Sequence, residues 1–344
     1  MGLQIGEIVP KKEITLDSLK GKVVAVDAYN ILYQFLTTIR QVDGTLLMDS
    51  KGRITSHLSG LFYRFTNLMS KGIKPVFVFD GEVPKLKHAE LAEREKRKKE
   101  AAIKYEEAKK KKELEEMAKF ARQTTKLSDA MIEESKKLIN TMGISAVQAP
   151  SEGEAQAAFI TKRGDAFATA SQDFDSLLFG SPKLVQNLTL ARKRKLASGA
   201  FAEVRPELIE LKEVLSELKL TQEQLIILGV LIGTDYNPGG YKGIGPKKAL
   251  ELIHKHKTPK NIFEAAAERA KEEIDFDPDE IVEVFKEIPV TEKYKIKFAE
   301  LNVDEIKKIL CKEHNFSEER VESALQKLKE AREKAKQSAL EKFF

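Results

Sequence analysis

The chain has no tryptophan and a single cysteine, Cys311, among its 344 residues. One thiol excludes an intramolecular disulfide and any metal cage built from cysteines, and it suits a reducing compartment. Long apolar runs are absent too; nothing approaches the roughly 20 apolar residues a membrane-spanning helix needs. The start, Met1-Gly-Leu-Gln-Ile5, has no basic stretch followed by an apolar one, so no secretory signal is expected there. Nor does one sign of charge dominate: Lys and Arg number 59 against 54 Asp and Glu, a net charge of +5. Hydrophobic residues reach 42%, enough for a large core.

What the chain does have is seven carboxylates in telling places. Asp27 ends the apolar run that starts at Lys22, and Asp80 ends the run Pro75-Val-Phe-Val-Phe79. Glu152 and Glu154 open a helical stretch, Ser151-Glu-Gly-Glu-Ala-Gln-Ala. Asp173 and Asp175 follow Ala166-Phe-Ala-Thr-Ala170, and Asp235 sits in Gly233-Thr-Asp-Tyr236. Carboxylates at the carboxyl ends of buried parallel strands converge where α/β proteins place their active sites. So many anions repel one another unless divalent cations lie between them. Oxygen donors alone point to hard ions such as Mg²⁺ and to phosphate chemistry. If the seven form one negative site, the rest of the surface is more basic than +5 suggests, which suits a polyanion held by its phosphates. A charge-rich soluble protein with no such ligand fits the composition equally well.

The periodicity predicts strands at 22–27 and 75–80 with helices at 30–40 and 56–71 between them. That order implies a parallel α/β sheet, resumed by strands at 143–148, 166–170 and 183–188 and a helix from about 152. Residues 85–122 break the pattern. They are rich in Lys, Glu, Arg and Ala with few apolar anchors, and the first half, 85–99, has high helix propensity and no wide apolar stripe. Such a run reads as an exposed charged helix, yet it follows Asp80 directly, so one end must lie beside the site. Having few core contacts, it is expected to be mobile in the free protein and to order on a nucleic-acid strand. From 222 a buried helix leads to Asp235 and on to Asn237-Pro-Gly-Gly-Tyr-Lys242-Gly243-Ile-Gly245-Pro-Lys247-Lys248-Ala. This resembles a helix-hairpin-helix turn, whose free N–H groups and lysines bind a duplex backbone without reading sequence; an ordinary helix connection has the same glycines. Residues 303–335 read as Lys- and Glu-rich helices, and two terminal phenylalanines follow them.

Taken in order, Val-Val-Ala-Val-Asp27-Ala, Val-Phe-Val-Phe-Asp80-Gly, Pro-Ser-Glu152-Gly-Glu154-Ala-Gln-Ala, Ser-Gln-Asp173-Phe-Asp175-Ser-Leu-Leu-Phe-Gly and Gly-Thr-Asp235-Tyr-Asn resemble the flap endonucleases of the structure-specific 5′-nuclease superfamily, archaeal and eukaryotic type. The resemblance runs from Met1 to Phe344. It implies a central, mostly parallel sheet flanked by helices, an arch inserted at about 82–127, and a helix-two-turn-helix element at about 222–256. These would form one nuclease domain over 1–330, with a tail at 331–344. It also implies hydrolysis of a phosphodiester near the base of a 5′ DNA flap by two Mg²⁺ ions, with Mn²⁺ as a substitute. A 5′–3′ exonuclease activity and a place in DNA replication and repair come with the family.

By the same resemblance Asp80, Glu152, Glu154, Asp173 and Asp175 are the closest metal ligands. Asp27 and Asp235 act directly or through water. Lys87 and Arg94, seven residues apart and so on one helix side, stand at the foot of the arch as catalytic cations. Tyr33 matches a ring that stacks on a base near the cut, although a helix tyrosine also fits a core. Arg40 and Arg64 match DNA-contacting positions, and Gly2 one that lies near the active site once Met1 is removed. Gln337-x-x-Leu340-x-x-Phe343-Phe344 matches the peptide that docks these enzymes on the sliding clamp PCNA, a hydrophobic plug on a short helical turn. The absence of a basic tail beyond it favours the archaeal type, hence a monomer in the cytoplasm with the nucleoid and no membrane partner. Individually the acids have plainer readings: Ser151-x-x-Glu154 fits a capping box, and Asp80-Gly81 or Asp173 a turn. Two other functions remain open, a sister 5′ exonuclease or junction nuclease, and a non-catalytic, clamp-tethered DNA-binding protein.

Overall fold

Strict alternation along the second strand decides how the centre of the protein is built. A computed structural model describes residues 3–41, 43–111, 113–190, 193–195, 201–271 and 274–340. Its strands are β1 (Lys12–Glu13), β2 (Val23–Asp27), β3 (Lys74–Phe79), β4 (Ser145–Gln148), β5 (Ala168–Ala170), β6 (Lys183–Gln186), β7 (Lys193–Lys195), β8 (Phe201–Glu203) and β9 (Glu207–Glu210). Val24 and Val26 of β2 pack toward the helices Ala28–Thr38 and Ser56–Ser70, while Ala25 packs toward the helix Gly153–Lys162. Successive strand residues face opposite sides of a sheet, and here both faces are covered. The strands therefore read as continuous apolar runs.

The main sheet runs β1-β9-β6-β5-β2-β3-β4, with β7 and β8 paired apart. β6, β5, β2, β3 and β4 are parallel neighbours; β9 and β1 join antiparallel at one edge. Val24 lies between Pro75 and Ala168, and Val26 between Phe77 and Ala170. Chain order moves outward from β2 to β4, then returns to β5 on the other side of β2. The direction of winding thus reverses between β2 and β5, and a crevice opens there at the carboxyl ends. Below it Phe35, Phe65, Phe77 and Phe79 interlock as edge-to-face, tilted and stacked rings. Each such burial contributes about 1.5–3 kcal/mol.

The arch is a 3₁₀ turn, Lys85–Lys87, and the helices His88–Lys111 and Leu114–Gln123, which pack on each other. The long helix buries only Glu90, Ala101 and Ala108. On this long helix the expected lack of an apolar stripe holds, and a seam of small residues takes its place; the second helix is amphipathic.

The helix Gln222–Ile232 is apolar all round and buried. Its end is gripped by the glycine-rich turn: a Cβ on Gly240, whose φ is +54°, would lie 2.4 Å from the Ile232 carbonyl carbon. The helix Pro246–His256 leaves this turn, and Pro259–Ala270 and Pro278–Glu287 pack around the buried helix. At the end of the chain Glu318–Leu340 lies on Ser56–Ser70. No helix of the described residues is long and apolar enough to cross a membrane.

Candidate active site

Each strand bordering the crevice delivers its acid in the same way. Asp27 is the last residue of β2 and the N-cap of the helix Ala28–Thr38, where its Oδ1 accepts from Asn30 N at 3.0 Å. Asp80 follows β3, and its Oδ1 accepts from Gly153 N at 2.7 Å. A Cβ at Gly153 would stand 2.5 Å from that oxygen, so a larger residue there would displace the Asp80 carboxyl. Glu152 and Glu154 flank Gly153 at the start of the helix after β4. Ser151 Oγ donates to the Glu82 carbonyl at 3.1 Å and the N-cap residue is Glu152, so the capping box that the sequence permits is not formed. Asp173 and Asp175 follow β5. Asp235 comes from the turn after the buried helix.

Polar links that sequence reasoning missed tie these segments together. Ser171 Oγ touches Glu154 Oε1 at 2.9 Å and Asp27 Oδ2 at 3.4 Å, and accepts from Asp173 N at 3.2 Å. Asn30 Nδ2 donates to Asp173 Oδ2 at 2.7 Å. Both were findable, since Asn30 opens the helix capped by Asp27 and Ser171 precedes the acid pair.

The arch supplies the opposite charge. Lys87 Nζ lies 2.8 Å from Glu152 Oε2 and 3.2 Å from Asp235 Oδ2. Arg94 Nη2 lies 3.0 Å from both Asp235 oxygens, and its Nε pairs with Glu90. The electrostatics divide accordingly. Burial, then Asp80, raises the Asp27 carboxyl well above its ordinary range. Burial, then Glu152, raises Asp80 to about 6. Burial, then Asp173 and Asp235, raises Asp175 to about 7. Glu154 is raised by burial and by Asp27, and Asp173 by burial and by Asp235. For Asp235 burial is outweighed: Lys87 and Arg94 hold it below its ordinary value. Lys87 and Arg94 are raised in turn, because their carboxylate partners outweigh burial.

All seven acids thus share one cluster with Lys87 and Arg94. Among the described residues, no three Asp, Glu, His or Cys side chains stand in a ready metal-holding arrangement. Lys87, between Glu152 and Asp235, occupies part of the space such an arrangement would need. The donor set still fits a hard divalent ion: every acid is an oxygen donor, and five of them are raised by burial and mutual repulsion, which a cation relieves.

The remaining sequence candidates lie around this centre. Tyr33 is half-buried on the helix Ala28–Thr38, with Lys98 Nζ 5.6 Å from its ring centre. Arg40 donates to the carbonyls of Leu36 and Gly44 and to Thr125 Oγ1, at 2.8, 2.7 and 2.5 Å. It therefore fastens the end of the arch to the body, a role the sequence did not suggest. Arg64 is half-buried on Ser56–Ser70. Lys242, Lys247 and Lys248 are exposed around Gly243 and Gly245, and Lys248 Nζ donates to the Gly243 carbonyl at 2.8 Å. Gly245 is the N-cap of Pro246–His256, with no side-chain cap. Gln337 is exposed on the last helix; Gly2, Phe343, Phe344 and the Leu340 side chain lie outside the described residues.

Acids at the carboxyl ends of parallel strands, overhung by a cationic arch, define a nuclease of the XPG class. The XPG N-terminal domain matches residues 3–101 and the XPG I-region residues 143–235. Flap endonuclease 1 of Pyrococcus furiosus is 55% identical over 345 residues, covering 100% of this chain and 99% of its own. The Pyrococcus abyssi protein of that name is 54% identical, covering 100% and 98%. The solved flap endonuclease-1 of Methanococcus jannaschii superposes with a TM-score of 0.75 at 42% identity, over 96% of this chain and 98% of that one. The catalytic core of Rad2 in complex with DNA shares the fold, with a TM-score of 0.73 at 24% identity over 95% of this chain and 100% of that one. The chain belongs to the flap endonuclease 1 family.

Proposed function

We propose that the protein is a structure-specific 5′-flap endonuclease that hydrolyses a DNA phosphodiester near the flap base with two Mg²⁺ ions, Mn²⁺ serving as substitute. The observation that carries this reading is the convergence of seven carboxylates from five chain segments, with Lys87 and Arg94 set among them. Asp80, Glu152, Glu154, Asp173 and Asp175 would hold the ions, and Asp27 and Asp235 would act directly or through water. When bound, the ions supply an activated water and stabilisation of the leaving oxygen.

The chain's own residues then position the substrate. Lys87 and Arg94 would turn from the carboxylates to the scissile phosphate and offset the charge that develops on it. Tyr33 would stack on the base beside the cut, a contact that tolerates any sequence. Lys242, Gly243, Gly245, Lys247 and Lys248 would hold the duplex backbone, with Arg64, Arg40 and Gly2 as further DNA contacts. The same site would trim 5′ ends as an exonuclease. Gln337, Leu340, Phe343 and Phe344 would tether a monomer to the sliding clamp PCNA, in Okazaki fragment maturation and repair in the cytoplasm.

The test is a panel of 5′-flap, nicked, bubble and four-way-junction DNA at equal concentration, with Mg²⁺, Mn²⁺ or chelator. The expected outcome is metal-dependent flap cutting with little cutting of plain duplex. Robust cutting in chelator would sink the metal reading. Preference for bubbles or junctions would make the protein a sister nuclease. Tight flap binding without cutting in either metal would make it a clamp-tethered binding protein.

A further inference from the structure

The arch helix His88–Lys111 buries three residues, and two of them are alanines. The third is Glu90, 2% exposed on a helix otherwise covered in solvated charge. Its Oε1 takes Arg94 Nε and lies 3.8 Å from Arg97 Nη2, while its Oε2 is buried without a hydrogen-bond partner. Glu90 lines a cavity of about 220 Å³ together with Gln4, Arg97, Thr234, Asp235 and Pro238. A carboxylate oxygen buried unpaired is unfavourable, and an exposed acid would pair with Arg94 at i,i+4 equally well for helix stability. Glu90 therefore does something that stability alone does not require.

Arg94 shows what that is. Its guanidinium is held at two nitrogens, Nε by Glu90 and Nη2 by the two Asp235 oxygens. Asp235 is a candidate metal-site acid, and when it turns to an ion Arg94 loses that hold. Glu90 stands on the arch itself, four residues from Arg94, and its ion-pair partners are Arg94 and Arg97, so its grip does not depend on Asp235. The planar fork keeps a fixed orientation only while one carboxylate stays on it.

We propose that Glu90 is a positioning residue for cleavage: it keeps Arg94 aimed at the scissile phosphate while Asp235 is engaged elsewhere. This rests on the reading of Arg94 as the cation that meets that phosphate. Single-turnover cutting rate, flap Kd and Tm are measured for the full chain, Glu90→Gln, Glu90→Asp, Arg94→Ala and the double variant Glu90→Gln/Arg94→Ala. Glu90→Gln keeps the shape and loses the charge, and Glu90→Asp keeps the charge and shortens the reach. Each is expected to slow the single-turnover rate about 10-fold with flap Kd within about twofold, since misplacing a catalytic group affects the chemical step more than binding. In the Arg94→Ala background Glu90→Gln is expected to add nothing, because both changes remove one unit. Glu93→Gln, at an exposed acid on the same helix, is the control expected to cut at the full rate.

A purely structural Glu90 would lower Tm and weaken flap binding in step with the rate, which overturns the proposal. So does a full rate in both Glu90 variants, or an equal loss with and without Arg94. If Arg94→Ala itself cuts at the full rate, the reading of Arg94 falls and the proposal with it.

Discussion

The sheet end and the arch meet at one site but are held by different forces. Val24, Val26, Phe77 and Phe79 are buried in a layered core, and the acids that follow them inherit its rigidity. The arch has three buried residues on its long helix, and its base is tied to the body through Lys87 and Arg94. One region fixes negative charge with apolar packing. The other brings positive charge on an element whose base is attached through that same negative charge. The protein's anionic half is therefore preorganised, and its cationic half can be repositioned by whatever competes for the acids.

The largest effect should come from the fixed half. Asp173 is held by Asn30 Nδ2 and by Ser171 through its own N–H. Asp173→Ala is expected to lower flap cutting by about three orders of magnitude or more, with flap binding retained, because the loss falls on the metal-assisted step. Lys87→Ala, from the other half, is expected to lose about 100-fold as the removal of one charge-stabilising group does. A larger loss at Lys87 than at Asp173, read from single-turnover rates, would invert the comparison.

Stability should divide the same way. Phe77→Ala empties a site packed by Phe65 and Phe79 and is expected to destabilise by about 3–5 kcal/mol. Ala101→Gly, in the seam of the arch, is expected to cost about 1 kcal/mol. Urea melts of both variants check this, and equal losses would mean that the arch is as much part of the core as the sheet is.

Charge at the strand ends gives the comparison a pH axis. Asp80 and Asp175 stand at about 6 and about 7, against an ordinary 3.8. A carboxyl raised in the fold keeps its proton where the unfolded chain has lost it. The native state then binds more protons, so stability falls as pH rises between those values. The contribution is full below the ordinary 3.8 and gone above about 7. Asp235, which is lowered, acts only below its ordinary 3.8, outside this window. In chelator, Tm should fall as pH goes from about 5 to about 8. Mg²⁺ should remove that slope, since it binds the deprotonated acids. A flat chelator profile would mean that neither burial nor the neighbouring acids raise these carboxyls in the fold.

The same division decided what could be read from the sequence. The strands ending in Asp27 and Asp80, and the helix opened by Glu152, stood out because burial on both faces makes apolar runs and puts acids at their ends. β1 and β9 did not, because strands of only two and four residues such as Glu207–Glu210 carry charge and bury little. The arch was legible as a charged helix, but its alanine seam was not, since Ala reads as helix propensity and not as packing. Arg40 and Glu90 were beyond sequence reasoning for another reason. Their roles depend on Thr125 and Asp235, partners far along the chain that only folding brings near.

A smaller effect probes how far the arch depends on its ligands. With few core contacts, 85–122 should be clipped by protease faster in the free protein than with a 5′ flap bound. Equal clipping would mean that the alanine seam and the Arg40–Thr125 tie already hold it.

The smallest effect belongs to a segment in neither half. Gln337 is exposed at the end of a helix whose earlier turns lie on Ser56–Ser70, away from both the acids and the arch. Removing 337–344 should therefore leave the site's geometry alone and act only through a partner. A Gln-x-x-Leu-x-x-Phe-Phe turn offers its apolar residues as one plug, so the truncated chain is expected to lose stimulation of flap cutting by the PCNA clamp. In assays without clamp, truncated and full-length chains should run together. A slower truncated chain under those conditions would show that the tail reaches back to the nuclease body.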